Sequence, residues 1–294
     1  MSLIKAKSAD GFVVVDLEGA EVATGVVRNA RKVLQDGARN LARSVTYTYA
    51  VLGMQRSGAS AAVNADGDGR DEAVAAFVAE LAERDGAPQI LLDPGKGVAA
   101  SELAPLQAAD PRNPLARELH DELIGVGAAA AAAAALGTID GATVGVACEP
   151  NEAIVAAFVA SGATPVEATD GAHTECDVLL VGGKVGALDH DVAAGLRTKC
   201  VVPVQLLSVT PRALAVARRG GAAVLPDFVT CAGPVLAAWM TGSDADEIRS
   251  EVRTKLGAVI AQSGDHAEGH VLGSCELAEA FLETWTTVPF GRPL

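Results

Sequence analysis

Residues 143–170, TVGVACEPNEAIVAAFVASGATPVEATD, constrain the fold more than any other stretch. A short β-branched run from Thr143 to Val146 enters a turn. An Ala/Val/Phe helix then closes at Gly162, and a second strand-like run ends at Asp170. Strand, turn, helix and strand in that order make a βαβ crossover, whose two strands lie parallel in one sheet. The outline is that of a dinucleotide-binding unit, where an acidic residue after the second strand holds ribose hydroxyls. Asp170 stands in that place. The turn departs from the pattern: it reads Cys148-Glu149-Pro150-Asn151-Glu152-Ala153 where G-x-G-x-x-G is expected.

Each replacement has a physical cost. The first glycine allows the tight turn, the second lets the backbone approach a diphosphate, and the third lets helix and strand pack closely. Cys148 adds a side chain to the turn. Pro150 adds a ring and removes an amide donor. Glu149 and Glu152 stand at a helix N-terminus, the positive end that an anion would use. A carboxylate about 6 Å from a phosphate charge costs on the order of 1 kcal/mol. Two of them facing a doubly charged group weaken binding by roughly two to three decades.

Strand-like and helix-like runs alternate along the rest of the chain. Residues 12–17, 59–63 and 89–92 read as strands, and 33–42, 71–84 and 115–136 as helices. Beyond Asp170 the strands are 177–181, 200–204 and 222–225. The helices there are 191–196, 211–219, 234–241, 244–261 and 277–283. Such alternation predicts an α/β fold with a doubly wound parallel sheet. At 294 residues the chain is long for one domain and comfortable for two. The expected division is an N-terminal α/β substrate or dimerisation domain (1–126), a Rossmann-like domain (127–270), and a C-terminal helix and tail (271–294) returning toward the first.

Composition narrows the partners. A net charge of −14 argues against nucleic acid and against an anionic membrane surface. No apolar run reaches the length of a membrane span. Five cysteines, widely spaced and never in a C-x-x-C pair, read as reduced thiols of a cytoplasmic protein with no zinc site. Aromatics are only 3% of the chain, so Ala, Val and Leu must fill the core.

Several segments resemble, in order, the glutamate/leucine/phenylalanine/valine dehydrogenase family. GGAAVLPDFVTCAG (220–233) is similar to that family's G-x-x-V-x-P-D-x-x-x-N-A-G-G, and CDVLLVGG (176–183) to its C-D-I-L-I-P-A-A. VTYTYAVLG (45–53) resembles M-T-Y-K-N-A-x-x-G, and GVVRNA (25–30) resembles G-G-x-R-M. The resemblance implies NAD(P)-dependent oxidative deamination of an amino acid, with NAD or NADP as cofactor and an amino acid or keto acid as small-molecule partner. It also implies association through the first domain.

The residues that carry the family's chemistry differ here. The lysine that grips the substrate carboxylate falls on Thr48, and the lysine that activates water falls on Ser60. The catalytic aspartate aligns with Asp93, in Asp93-Pro94-Gly95-Lys96, and Lys96 is the nearby cation that could replace the missing lysines. The family's threonine near the nicotinamide amide falls on Glu122, and two of its asparagines fall on Leu206 and Cys231. Deamination needs a cation for the carboxylate and a base for water and the imine. A charge-assisted contact to a carboxylate is worth about 1.5–3 kcal/mol, and the base a factor of about 10²–10⁴. Two functions follow: a dehydrogenase-like oxidoreductase with impaired or lost activity, or a non-catalytic derivative that binds a metabolite or protein partner.

Other signals are set aside. Asn64-x-Asp66-x-Asp68-Gly69 opens like a calcium loop, but Ala75 stands where the bidentate carboxylate is required. His266-Ala-Glu-Gly-His270 reads as a surface loop between glycines rather than a metal site. No metal is expected. The apolar run Phe12–Val15 reads as an exposed strand edge that invites pairing with a second copy, giving a homodimer or larger even-numbered oligomer.

Overall fold

The computed structural model describes residues 1–108, 110–149, 151–167 and 169–293. In chain order the first elements are β1 (Ser2–Lys5), β2 (Gly11–Val15), β3 (Val22–Ala30), α1 (Gln35–Val51), β4 (Ser57–Asn64), α2 (Arg70–Ala82), β5 (Gln89–Pro94) and α3 (Ala104–Gln107). Then come α4 (Leu115–Glu118), α5 (His120–Leu136), β6 (Thr143–Val146), α6 (Glu152–Ala160), β7 (Thr164–Pro165), β8 (Cys176–Val181), α7 (His190–Ala193) and β9 (Thr198–Pro203). The last are α8 (Pro211–Arg219), β10 (Ala223–Val224), α9 (Asp227–Thr230), α10 (Gly233–Ala237), α11 (Ala245–Ser263) and α12 (His270–Leu282). The chain forms two compact units. One is Met1–Pro111 with Phe281–Pro293, and the other is Arg112–Ala280. Helix α5, through which the expected boundary at 126 would pass, lies whole within the second.

The first unit is built on a mixed sheet of order β1-β2-β4-β3-β5. The first two pairings are antiparallel, and β4, β3 and β5 run parallel. Alternate residues of β2 serve opposite faces. Val13 and Val15 join Phe77 and Val78 of α2, whereas Phe12 and Val14 meet Ala38 and Ala42 of α1. This corrects the expectation of an exposed edge at Phe12–Val15. The strand is flanked by β1 and β4, all five of its residues are buried, and its apolar run reflects burial on both faces. The outer strands of this sheet are β1 and β5.

Close approach of α1 to β4 depends on Gly58, where an added Cβ would lie 1.9 Å from the Ala42 carbonyl oxygen. Thr46 closes the same contact by accepting from the Gly58 N–H at 2.9 Å. Arg43, also on α1, forms a buried two-point pair with Asp16, with Nε–Oδ2 at 2.8 Å and Nη2–Oδ1 at 2.9 Å. Its Nη1 donates to the carbonyls of Phe290 and Gly291, at 2.7 Å for the former, and so ties the tail into this unit.

The second unit carries an all-parallel sheet of order β10-β9-β8-β6-β7. The chain starts at β6, steps to one side for β7, then crosses to β8 and moves outward. That reversal is the topological switch point of a doubly wound fold, and ligands bind there at the carboxyl ends of the strands. The alanine run of α5 is packing material, with Ala128, Ala129, Ala131 and Ala132 buried. Among the described residues no helix is long and apolar enough to cross a membrane, and no disulfide joins any of the five cysteines.

Candidate functional site

In the first unit the strand register brings chemistry-bearing residues into one row. Ser60 on β4 stands beside Val26 on β3, and Val26 beside Asp93 on β5. Arg28 is two residues further along β3 and shares their face. Its neighbour on β4 is Ala62, which packs against Ala38 and Ala42, so the row lies on the α1 side of the sheet. Burial falls off along it: Ser60 is fully buried, whereas Val26, Arg28 and Asp93 are partly exposed.

Arg28 has no assigned role in the sequence reading, yet it is the most unusual member of the row. Its Nη2 donates to Ser60 Oγ at 3.1 Å. Its Nε is buried without an acceptor, and among the described residues no carboxylate pairs with it. Burial holds its pKa below the ordinary arginine value. A charged residue near the carboxyl end of a parallel strand is the sequence signal that could have drawn attention to it.

The remaining expected residues do not gather here. Thr48 is buried within α1, and its hydroxyl donates to the Ser44 carbonyl at 3.2 Å. Lys96 is exposed on the turn after β5, where its own carbonyl accepts from the Asn29 N–H at 2.9 Å. Asp170 belongs to the second unit. There β7 stops at Pro165, which brings no N–H to the ladder, and Asp170 is an exposed turn residue well past the strand end.

At the switch point of the second unit the turn after β6 leads into α6. Asn151 caps that helix, its side chain accepting from the N–H groups of Ala153 at 3.1 Å and Ile154 at 3.3 Å. These are the amides that a diphosphate would take. The Asn151 amide donates to Asp121 at 2.7 Å, which anchors the cap to α5. Glu149 and Glu152 are exposed beside it. Cys148 is half-buried near Gly182 and Gly183 of the neighbouring strand, and burial pushes its thiol pKa up. Pro150 lies outside the described residues. This set does not fit a dinucleotide diphosphate well: two of the amides it would use are already satisfied by Asn151, and two exposed carboxylates, Glu149 and Glu152, belong to the same turn.

Further along the same sheet edge, burial pushes the Asp227 carboxyl up to about 6, against hydrogen bonds from the N–H groups of Leu207 and Phe228. Cys231, one turn on, has its thiol raised by burial and then by the Asp227 charge, so it is not an activated thiolate. Of the stretch read as a surface loop, 266–269 lie between α11 and α12 and only His270 falls in a helix. His270 opens α12 and contacts Ser263 Oγ at 3.2 Å, while His266 faces Glu276 at 3.0 Å. The cluster Asp189, His190 and Asp191 is exposed in part, and Asp189 is the N-cap of α7.

A mixed-sheet unit followed by a Rossmann-type unit with this strand order is the fold of the amino-acid dehydrogenases. Solved structures with this fold include the hetero-hexameric glutamate dehydrogenase of Thermus thermophilus in its leucine-bound form. It is 21% identical over 93% of this chain and 83% of that one, with a TM-score of 0.77. The L-tryptophan dehydrogenase of Nostoc punctiforme is 14% identical over 96% of this chain and 95% of its own, with a TM-score of 0.73. The glutamate dehydrogenase of Plasmodium falciparum is 14% identical over 93% and 79%, also at 0.73. At these identities the likeness is one of fold. Compared by sequence, the chain matches no family model and no curated protein.

Proposed function

We propose that this chain is an amino-acid dehydrogenase-like protein that binds a small amino acid or keto acid in its first unit, with NAD(P)-linked deamination impaired or lost. The observation that carries the reading is the pair of hydroxyl side chains at the two lysine positions. Thr48 is buried and bonded within its own helix, and Ser60 is buried in the sheet. Neither supplies the positive charge that a substrate carboxylate needs nor the base that the imine chemistry needs. The capped N-terminus of α6 supports the same reading from the cofactor side. By analogy with the hexameric neighbour, the chain self-associates into a homodimer or larger even-numbered assembly.

The test is an assay of NAD and NADP reduction with leucine, valine, phenylalanine and glutamate, and of the reverse reaction with the keto acids and ammonium. The expected result is no nucleotide-linked turnover. Rates in the ordinary enzyme range of about 1–1,000 s⁻¹ would refute the reading.

A further inference from the structure

Two arginines of the first unit are held by carboxylates. Arg43 is buried against the carboxylate of Asp16 in a two-point pair. Arg70 is held by Glu102, with Asp71 also in contact. In both cases the chain supplies the compensating negative charge. Arg28 has been drawn into the sheet face without one. Among the described residues its recorded partner is the neutral hydroxyl of Ser60, and its Nε is sealed from solvent with no acceptor. Burying a guanidinium with its Nε N–H unsatisfied and no carboxylate beside it costs free energy that its surroundings do not return.

The chain also holds Arg28 firmly. The loop after β5 crosses its stem, and a Cβ on Gly95 would lie 2.9 Å from Arg28 Cγ and 2.8 Å from the Val27 carbonyl. Gly97, at φ +79°, runs so close to β3 that an added Cβ would lie 2.5 Å from the Asn29 carbonyl. Arg70, itself locked to Glu102, donates to the Gly97 carbonyl and fixes the loop there. Arg28 is therefore positioned on a rigid sheet and is partly exposed, with its Nε N–H short of an acceptor. A planar fork of this kind matches a carboxylate, which accepts two parallel N–H bonds.

We propose that Arg28, steadied by Ser60, is the anchor for the carboxylate of the small-molecule ligand, supplying from β3 the positive charge that Thr48 and Ser60 do not. The inference rests on the reading of the first unit as a binding unit for an amino or keto acid, and it names the group that recognises that acid. The anchor is specific for a free carboxylate, so an ester or amide of the same acid is not held.

The test uses the full chain and its Arg28→Met and Arg28→Lys variants. Each is titrated calorimetrically with L-leucine, with the corresponding 2-oxo acid, and with the methyl ester of each. Thermal unfolding is followed with and without the same compounds. At least one free acid is expected to bind and to raise the melting temperature of the wild type, while its ester does neither. Arg28→Met should weaken that binding by about 10- to 100-fold, and Arg28→Lys by less. The ligand-free melting temperature of Arg28→Met should be unchanged or higher, because an uncompensated charge has been removed. A merely structural arginine would give the opposite shift. Any of three results overturns the proposal: no response of the wild type to either acid, equal binding by wild type and Arg28→Met, or a ligand-free Arg28→Met that unfolds several degrees earlier or fails to fold. Nucleotide reduction is recorded on the same samples. Ordinary turnover there would defeat the proposed loss of catalysis whatever Arg28 does, whereas unchanged binding by Arg28→Met without turnover would defeat this inference alone.

Discussion

Burial gives ionisable side chains different weights here, and that sets the predictions at the scale of single residues. Asp227 is held at about 6 against an ordinary value of 3.8. Folding therefore favours its protonated form. The stabilisation is full below about 3.8 and is lost as pH rises through about 6. Asp227→Asn should leave stability unchanged near the bottom of that window and raise it above. The gain would be at most about 2–3 kcal/mol, since the side chain is not sealed from water. Denaturant unfolding of both proteins across the window checks this; a constant difference between them would show that Asp227 does not titrate there. Arg43→Ala should act at every pH, because it leaves Asp16 buried and unpaired, and the expected loss is about 3–5 kcal/mol. Arg28 and Asn151 show why part of the site was not legible from sequence. Arg28 was visible in the string GVVRNA, but its missing carboxylate partner exists only once the register is known. Asn151 stands in the turn with no role read for it from sequence, and its weight comes from which amides it reaches.

Among the elements, legibility followed local signals. Strand Thr143–Val146 and helix Pro211–Arg219 were read with their observed bounds, because β-branched residues mark the one and an N-terminal proline with a closing Gly-Gly marks the other. Strands Ser2–Lys5 and Val22–Ala30 were missed. The first is short, and the second carries Gly25, Arg28 and Asn29 in a run that neither alternates nor stays apolar. Helix α1 was cut short at residue 42 because Thr46 and Thr48 are poor helix formers, yet both are buried and return hydrogen bonds to the preceding turn. The docking of this helix sets the element-scale prediction. Gly58→Ala places a methyl group on the Ala42 carbonyl and the Thr46 amide, so α1 must lift off the sheet. The expected cost is about 3 kcal/mol or more, read as a lower melting temperature; a variant as stable as the wild type would show that the helix can shift freely.

For the whole molecule, the α/β class and the Rossmann-like sheet follow from the alternation of strands and helices. The grouping of Phe281–Pro293 with the first unit depends on tail carbonyls meeting Arg43, a contact no local pattern encodes. Because β2 is interior, Val14→Lys should unfold the first unit rather than dissociate an assembly. If the chain pairs edge to edge through this sheet, the strands available are β1 and β5. Light scattering should then return an even multiple of the 29.7 kDa chain mass, and a monomer mass would refute self-association. The cap on α6 carries a different kind of consequence, one of reversibility. Asn151→Gly alone would free two amides but leave Glu149 and Glu152 beside them. It also gives up the tie to Asp121. Removing the glutamates alone leaves the amides occupied. The expected outcome is that no single one of these substitutions confers nucleotide affinity, and Asn151→Gly weakens the helix cap at the outset. On the proposed reading, a route to dinucleotide binding would have to change several residues together, each step giving nothing until the others are made.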